Sequence, residues 1–128
     1  MVIPSKIRRE LGEHAREEAP NEACGLVLLR DGRAERYERG RNALGSPYRF
    51  ELDIEPEVWF LEDEGYELAV FHSHPASPPR PSRTDVERIG LWEGRPYLIL
   101  RLDTGELAAW RIRDGRVEPE RVDVVSER

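Results

Sequence analysis

Cysteine occurs once in this chain of 128 residues, at Cys24, so no disulfide can close within it. Lysine also occurs once, at Lys6, and arginine carries nearly all the positive charge. There are 20 basic residues against 26 acidic ones, a net charge of −6 at neutral pH. Non-specific grip on nucleic acid needs a basic face, and so does an anionic membrane surface, so this balance weighs against both partners. No apolar run approaches the roughly 20 residues of a membrane span. The opening MVIPSKIRRE becomes charged too soon for a secretory signal. Repeats, low-complexity tracts and linker-like stretches are missing as well. These absences predict a cytoplasmic protein that binds neither nucleic acid nor membrane. The length is that of one domain, enough to bury a core without disulfides or metal staples. A metal in such a chain is functional rather than needed for folding.

The residues Ile3, Ile7, Leu11 and Ala15 repeat every four positions and predict a helix over about 3–18. Ala19-Pro20 stops it. His14, beside Glu13, Arg16 and Glu17, falls off that stripe and reads as surface. ACGLVLLR at 23–30 is short and apolar, which suits a buried strand. Asp31-Gly32 then signals a hairpin into RAERYERG. A short strand is expected at 48–52, and EPEVWFLEDEG follows as a helix with Pro56 in its first turn. Another strand runs over 66–74, and a further helix from about Ser82 to Trp92. RPYLILRL, ELAAWRIR and RVEPERVDVV are joined by the turn signals DTG and DG, which predicts an antiparallel meander. Trp59, Phe60 and Trp110 read as core, and nothing marks Trp92 for function. Two or three helices among six to eight strands make an α+β fold in one domain.

Two of the three histidines, His72 and His74, stand two apart at the end of an apolar run. On a strand, alternate residues share a face, so both imidazoles can reach one metal ion. Asp85 lies beyond ten intervening residues and can complete a His-His-Asp set with water in the fourth position. Three protein ligands plus water is the pattern of catalytic zinc, and a single cysteine excludes a closed multi-cysteine site. Taken alone, His-x-His on a strand is more often structural than ligating. Ser82 and Asp85 also match a capping box at a helix start, with Pro81 just outside. Both readings hold together if Ser82 opens the helix while Asp85 faces a metal.

HSHP, six residues, Ser82, two residues and Asp85 together resemble the JAMM motif, also called MPN+, of zinc metalloproteases. That family also carries an upstream glutamate, and PNEACGLVLL supplies Glu22 just before Cys24-Gly25. The resemblance implies one JAMM/MPN+ domain over 1–128, with a mixed, largely antiparallel curved sheet flanked by two or three helices, as in cytidine deaminases. It implies one Zn²⁺ per chain on His72, His74 and Asp85. Glu22 would be the base that works on the attacking water, and Ser82 the donor to the oxyanion. Cys24 would lie in or beside the active site, a small buried hydrophobe being the alternative. Ser73, between the histidines, would face the other way and hydrogen-bond backbone. The implied substrate is the amide bond after the C-terminal Gly-Gly of a ubiquitin-like sulfur-carrier protein, with cysteine or another adduct released. The loops 41–47 and 76–81 are candidates for the cleft walls. The rival is a non-catalytic scaffold on the same fold, which would usually have lost the histidines or the aspartate. The P-C-x-x-C segment of zinc deaminases is absent. The oligomeric state is open, a homodimer included.

Overall fold

The computed structural model describes residues 1–126. Strand β1 (Val2–Pro4) leads into helix α1 (Ser5–Glu18), which places Pro4 at the helix cap. A hairpin follows, β2 (Cys24–Arg30) and β3 (Arg33–Arg39), turning at Asp31-Gly32 as the sequence predicts. Two short strands, β4 (Arg41–Asn42) and β5 (Leu52–Asp53), pair as a separate ribbon. Helix α2 (Pro56–Trp59) has proline in its first turn and runs into a 3₁₀ turn at Phe60–Glu64. Strand β6 (Glu67–His74) follows, then helix α3 (Arg83–Glu87) and a 3₁₀ turn at Gly90–Trp92. The chain closes with β7 (Tyr97–Arg101), β8 (Leu107–Arg113), β9 (Arg116–Glu120) and β10 (Asp123–Val125).

Eight strands form one mixed sheet in the order β10-β1-β3-β2-β6-β7-β8-β9. β2 lies antiparallel to both β3 and β6, and the expected meander β7-β8-β9 is antiparallel throughout. β2 and β6 sit at the centre and are buried on both faces, which is why both read as nearly continuous apolar runs. Alternation divides their side chains. Val27, Leu29, Ala69 and Phe71 join Ile7, Leu11 and Ala15 of α1 in one core. Leu26, Leu28, Leu68 and Val70 meet Val58, Tyr97, Ile99 and Ile112 in a second core on the opposite face.

β6 and β7 are consecutive yet parallel, so residues 75–96 must cross over between them. That crossover carries the proline-rich loop and α3. It leaves the carboxyl end of β6 open beside the loop, a place where sheets of this kind bind ligands.

Four features depart from the sequence reading. The first helix begins at Ser5, because residues 2–4 are drawn into the sheet edge by β10. The strand expected at 48–52 is reduced to Leu52–Asp53. The helix expected over 82–92 ends at Glu87, and Gly90 then takes a φ of +48° that no helix continues through. RVEPERVDVV is two strands, and the second crosses to the far edge of the sheet to pair with β1.

Two side chains also move. His14 is buried at 2% exposure, because a 3.6-residue period places it with Ile7 and Leu11 at the i+7 and i+3 positions. Phe60 is 66% exposed, since the 3₁₀ turn rotates it away from the core that receives Val58.

Candidate metal centre

β6 alternates, so His72 and His74 emerge on the face of Leu68 and Val70, while Ser73 points to the α1 face. Pro75 follows the last strand residue. Ser73 Oγ accepts from the Ala23 backbone N–H at 2.8 Å, and the Ser73 N–H donates to the Ala23 carbonyl at 3.0 Å. These bonds fix the start of β2 against the end of β6. In that register Cys24 lies directly across from His72, and Glu22 reaches the same face.

Glu22 is buried, not solvated as a lone loop carboxylate would be. Its Oε1 lies 3.0 Å from His72 Nδ1. The other carboxylate oxygen makes no hydrogen bond among the described residues, and the residue lines a surface cleft. His74 Nδ1 donates to the Pro78 carbonyl at 2.8 Å. Both Nδ1 atoms therefore carry their protons toward oxygen, which leaves each Nε2 with a lone pair.

Asp85 Oδ2 stands 3.7 Å from His72 Nε2 and 3.4 Å from His74 Nε2. Donors about 2.0 Å from a tetrahedral zinc would be separated by roughly 3.3 Å, so this spacing suits a shared ion. His72 Nε2 is buried and has no hydrogen-bond partner among the described residues. A buried polar atom left without a partner costs about 1–3 kcal/mol, and a metal ion is the partner this donor set fits. The donor atoms that all lie within 4.8 Å of one another are those of Glu22, His72 and His74, a group that does not include Asp85.

The capping box forms as the sequence suggests: Ser82 Oγ accepts from the Asp85 N–H at 3.1 Å, and Asp85 Oδ2 accepts from the Ser82 N–H at 2.8 Å. The same Oδ2 also faces the histidines, so capping does not divert it. Ser82 Oγ is only an acceptor in this cap, and its own O–H stays free to donate. Burial alone would raise the Asp85 pKa. When the imidazoles carry a second proton, at Nε2, the hydrogen bond with His74, the charge of His72 and the Ser82 N–H outweigh it and hold the carboxyl at about 2. Burial pulls the His74 pKa down, but its hydrogen bonds to Asp85 and Pro78 leave it raised. For Cys24, burial and then the Glu22 charge push the thiol up to about 12. That describes a protonated, inert side chain at the start of a core strand.

Three residues that sequence reasoning passed over shape the centre. Phe50 stacks on His72 with ring centroids 4.4 Å apart, and Tyr97 meets the same imidazole edge-on at 5.2 Å. Asn42 organises the loop that carries Phe50. Its Nδ2 donates to the carbonyls of Glu22, Ser46 and Arg49, and its Oδ1 accepts from the N–H groups of Leu44 and Glu51. Asn42 closes an Asx turn to Leu44 at the start of an irregular, glycine- and proline-containing stretch, a role that the residue type alone does not announce.

The centre opens into a cleft of about 400 Å³ beside Glu22, His74 and Ser82, walled by Tyr48, Pro78 and Arg80. A second cavity of about 250 Å³ lies on the Asp85 side, among Phe50, Trp92 and Arg88. The Trp92 ring stacks on Trp59 there, 4.9 Å between centroids.

A family profile described as prokaryotic homologs of the JAB domain matches residues 4–113. The chain is 35% identical to the CysO-cysteine peptidase of Mycobacterium tuberculosis, over 99% of this chain and 92% of that one. It is 40% identical to a desampylase of Haloferax volcanii, over 80% of this chain and 81% of the relative. Among solved structures, protein DSY2949 of Desulfitobacterium hafniense superposes with a TM-score of 0.81 at 31% identity, covering 99% of this chain and 94% of the other.

Proposed function

Because the chain belongs to the family of prokaryotic homologs of the JAB domain, we propose that it is a zinc metallopeptidase acting on a ubiquitin-like sulfur-carrier protein. The bond hydrolysed is the amide after the carrier's C-terminal Gly-Gly, and cysteine or a similar adduct is set free. Relatives named as a CysO-cysteine peptidase and a desampylase support this substrate class. The observation that carries the reading is the buried cluster itself. His72, His74 and Asp85 converge with an unpartnered Nε2, while Glu22 and Ser82 flank them at the mouth of a cleft.

In this reading His72, His74 and Asp85 hold one zinc ion per chain. Zinc bound there supplies a water whose pKa falls from 15.7 to about 7, and it polarises the scissile carbonyl. Glu22 takes a proton from the attacking water and returns one to the departing amine. Its hydrogen bond to His72 Nδ1 keeps the imidazole oriented and leaves the second carboxylate oxygen for that proton. Ser82 donates its free O–H to the carbonyl oxygen as negative charge develops there, an interaction whose loss typically costs about 2.7–4 kcal/mol of barrier. Phe50 and Tyr97 exclude water from the His72 face and hold its ring. The whole chain acts as one domain, in a reducing cytoplasm that suits its single free cysteine.

Zinc counting coupled to cleavage tests this. Wild-type protein should hold one zinc and release the adduct from a carrier extended past Gly-Gly. Glu22→Ala should keep the zinc and lose at least about a hundredfold in kcat. A wild type that binds no zinc when supplied with it overturns the proposal and favours the scaffold reading.

A further inference from the structure

We propose that Arg80 is a carboxylate-binding residue for the leaving group, so that the bond cleaved joins the carrier to a single amino acid with a free α-carboxylate. The inference rests on the hydrolase reading above and narrows its substrate.

Position comes first. Glu22 can return a proton to the departing nitrogen only if that nitrogen lies on the Glu22 side of the centre. The Glu22 side is the cleft of about 400 Å³. Ligand sites generally range over roughly 300–1,000 Å³, so this cleft has room for an amino-acid-sized leaving group. In the reaction, water adds its oxygen to the carbonyl carbon and the C–N bond breaks. The nitrogen leaves with the proton carried by Glu22. The released amino acid therefore sits in the cleft with its carboxylate a few bonds from Glu22.

Charge comes second. Arg80 is the one cation that lines this cleft, and it makes no ion pair among the described residues. An arginine fork without an acidic partner is suited to a planar carboxylate.

Rigidity comes third. The loop around Arg80 contains Pro75, Pro78, Pro79 and Pro81. It is pinned at two carbonyls, Pro78 by His74 Nδ1 and Pro79 by Trp110 Nε1 at 2.9 Å. The guanidinium rests over the Trp110 ring, 5.8 Å from its centroid, and the Arg80 N–H donates to the Pro78 carbonyl. The loop that positions a metal-facing histidine thus also presents the cation, so both are held in one frame.

The test uses zinc-loaded full-length protein and a ubiquitin-like carrier extended past Gly-Gly by one alanine, made as the free acid and as the carboxamide. Wild type should favour the acid by about tenfold in kcat/KM. Arg80→Gln should bring that preference to within about twofold of unity, and Arg80→Lys, which keeps the charge without the fork, should restore only part of it. Zinc content and circular dichroism report whether each variant is intact. Equal cleavage of acid and amide by wild type overturns the inference and leaves the hydrolase reading standing. So does a preference that survives in Arg80→Gln. If zinc-loaded wild type cleaves neither substrate, the hydrolase reading itself falls, and this one with it.

Discussion

At the scale of single residues, chemistry and position carry different amounts of information. Cys24 illustrates position. The motif places it two residues from Glu22, but its complete burial and a pKa near 12 make it a structural hydrophobe. Iodoacetamide at pH 8 should therefore leave Cys24 unlabelled in folded protein and label it fully in denaturant, as read by intact mass. Rapid labelling of the native state would contradict this burial. Asn42 is a residue of the opposite kind, silent in sequence and central in space. Asn42→Ala removes five side-chain hydrogen bonds, four within the loop that carries Phe50 and one that ties it to the Glu22 carbonyl. Each contributes about 0.5–1.5 kcal/mol net when water cannot replace it fully, and these groups are half exposed, so a stability loss of about 2 kcal/mol is expected in urea. Because Glu22 loses its anchor, kcat should fall about tenfold while zinc content stays unchanged. His72, His74 and Asp85 could be picked out beforehand as candidate metal ligands from residue type and spacing, and Ser82 and Glu22 only through the resemblance to the JAMM motif. Glu22 stands fifty positions from His72, and only the β2–β6 pairing makes them neighbours. Asn42, Phe50 and Tyr97 could not be picked out, since an asparagine or an aromatic ring acquires such a role only from where a loop folds.

At the scale of elements, α1 packs against β3 through His14, whose Nδ1 shares a hydrogen bond with the Tyr37 hydroxyl at 2.6 Å. Gly25 makes room for that tyrosine: a Cβ there would stand 2.6 Å from its oxygen. Burial, helped by the charge of Arg39, lowers the His14 pKa below its ordinary value, with Glu18 and Glu17 opposing. The folded state thus holds this proton less tightly than the unfolded chain. Its contribution to stability is complete above the unfolded value of about 6.5 and is lost as pH falls through the depressed folded value. His14→Gln should remove that acid-side loss, so urea midpoints of wild type and variant should converge between pH 7.5 and 5.5. A constant gap across that range would show that His14 does not titrate with folding. Elements whose signal is local were legible: the β2–β3 hairpin from its Asp-Gly turn, the meander from its turn spacing, α2 from Pro56. Elements that depend on distant partners were not. β1 and β10 are three residues each and depend on residues 2–4 meeting residues 123–125, with Val2 also pairing to Arg33 of β3. No local period records that pairing.

At the scale of the whole molecule, the sheet buries apolar side chains on both faces, and neither core includes a proposed zinc ligand. Two of the proposed ligands lie at the end of β6 and the third, Asp85, in α3, and His74 and Asp85 have protein partners of their own. Among the described residues, no helix is long and apolar enough to cross a membrane. The fold should therefore survive loss of the metal, while its stability should register that loss. A ligand that binds only the folded state adds about 2.7 kcal/mol when its free concentration is a hundred times its Kd. For a domain of this length, 1 kcal/mol moves Tm by roughly 3–6 °C. Treating zinc-loaded protein with a chelator should thus lower Tm by about 10 °C and leave the far-ultraviolet circular dichroism at 25 °C unchanged. Adding zinc back should restore the original Tm. Unfolding on chelation would mean that the metal is a structural staple, against the independence of the two cores. An unchanged Tm would mean that zinc does not engage the folded site, and the unpartnered His72 Nε2 would then need another explanation.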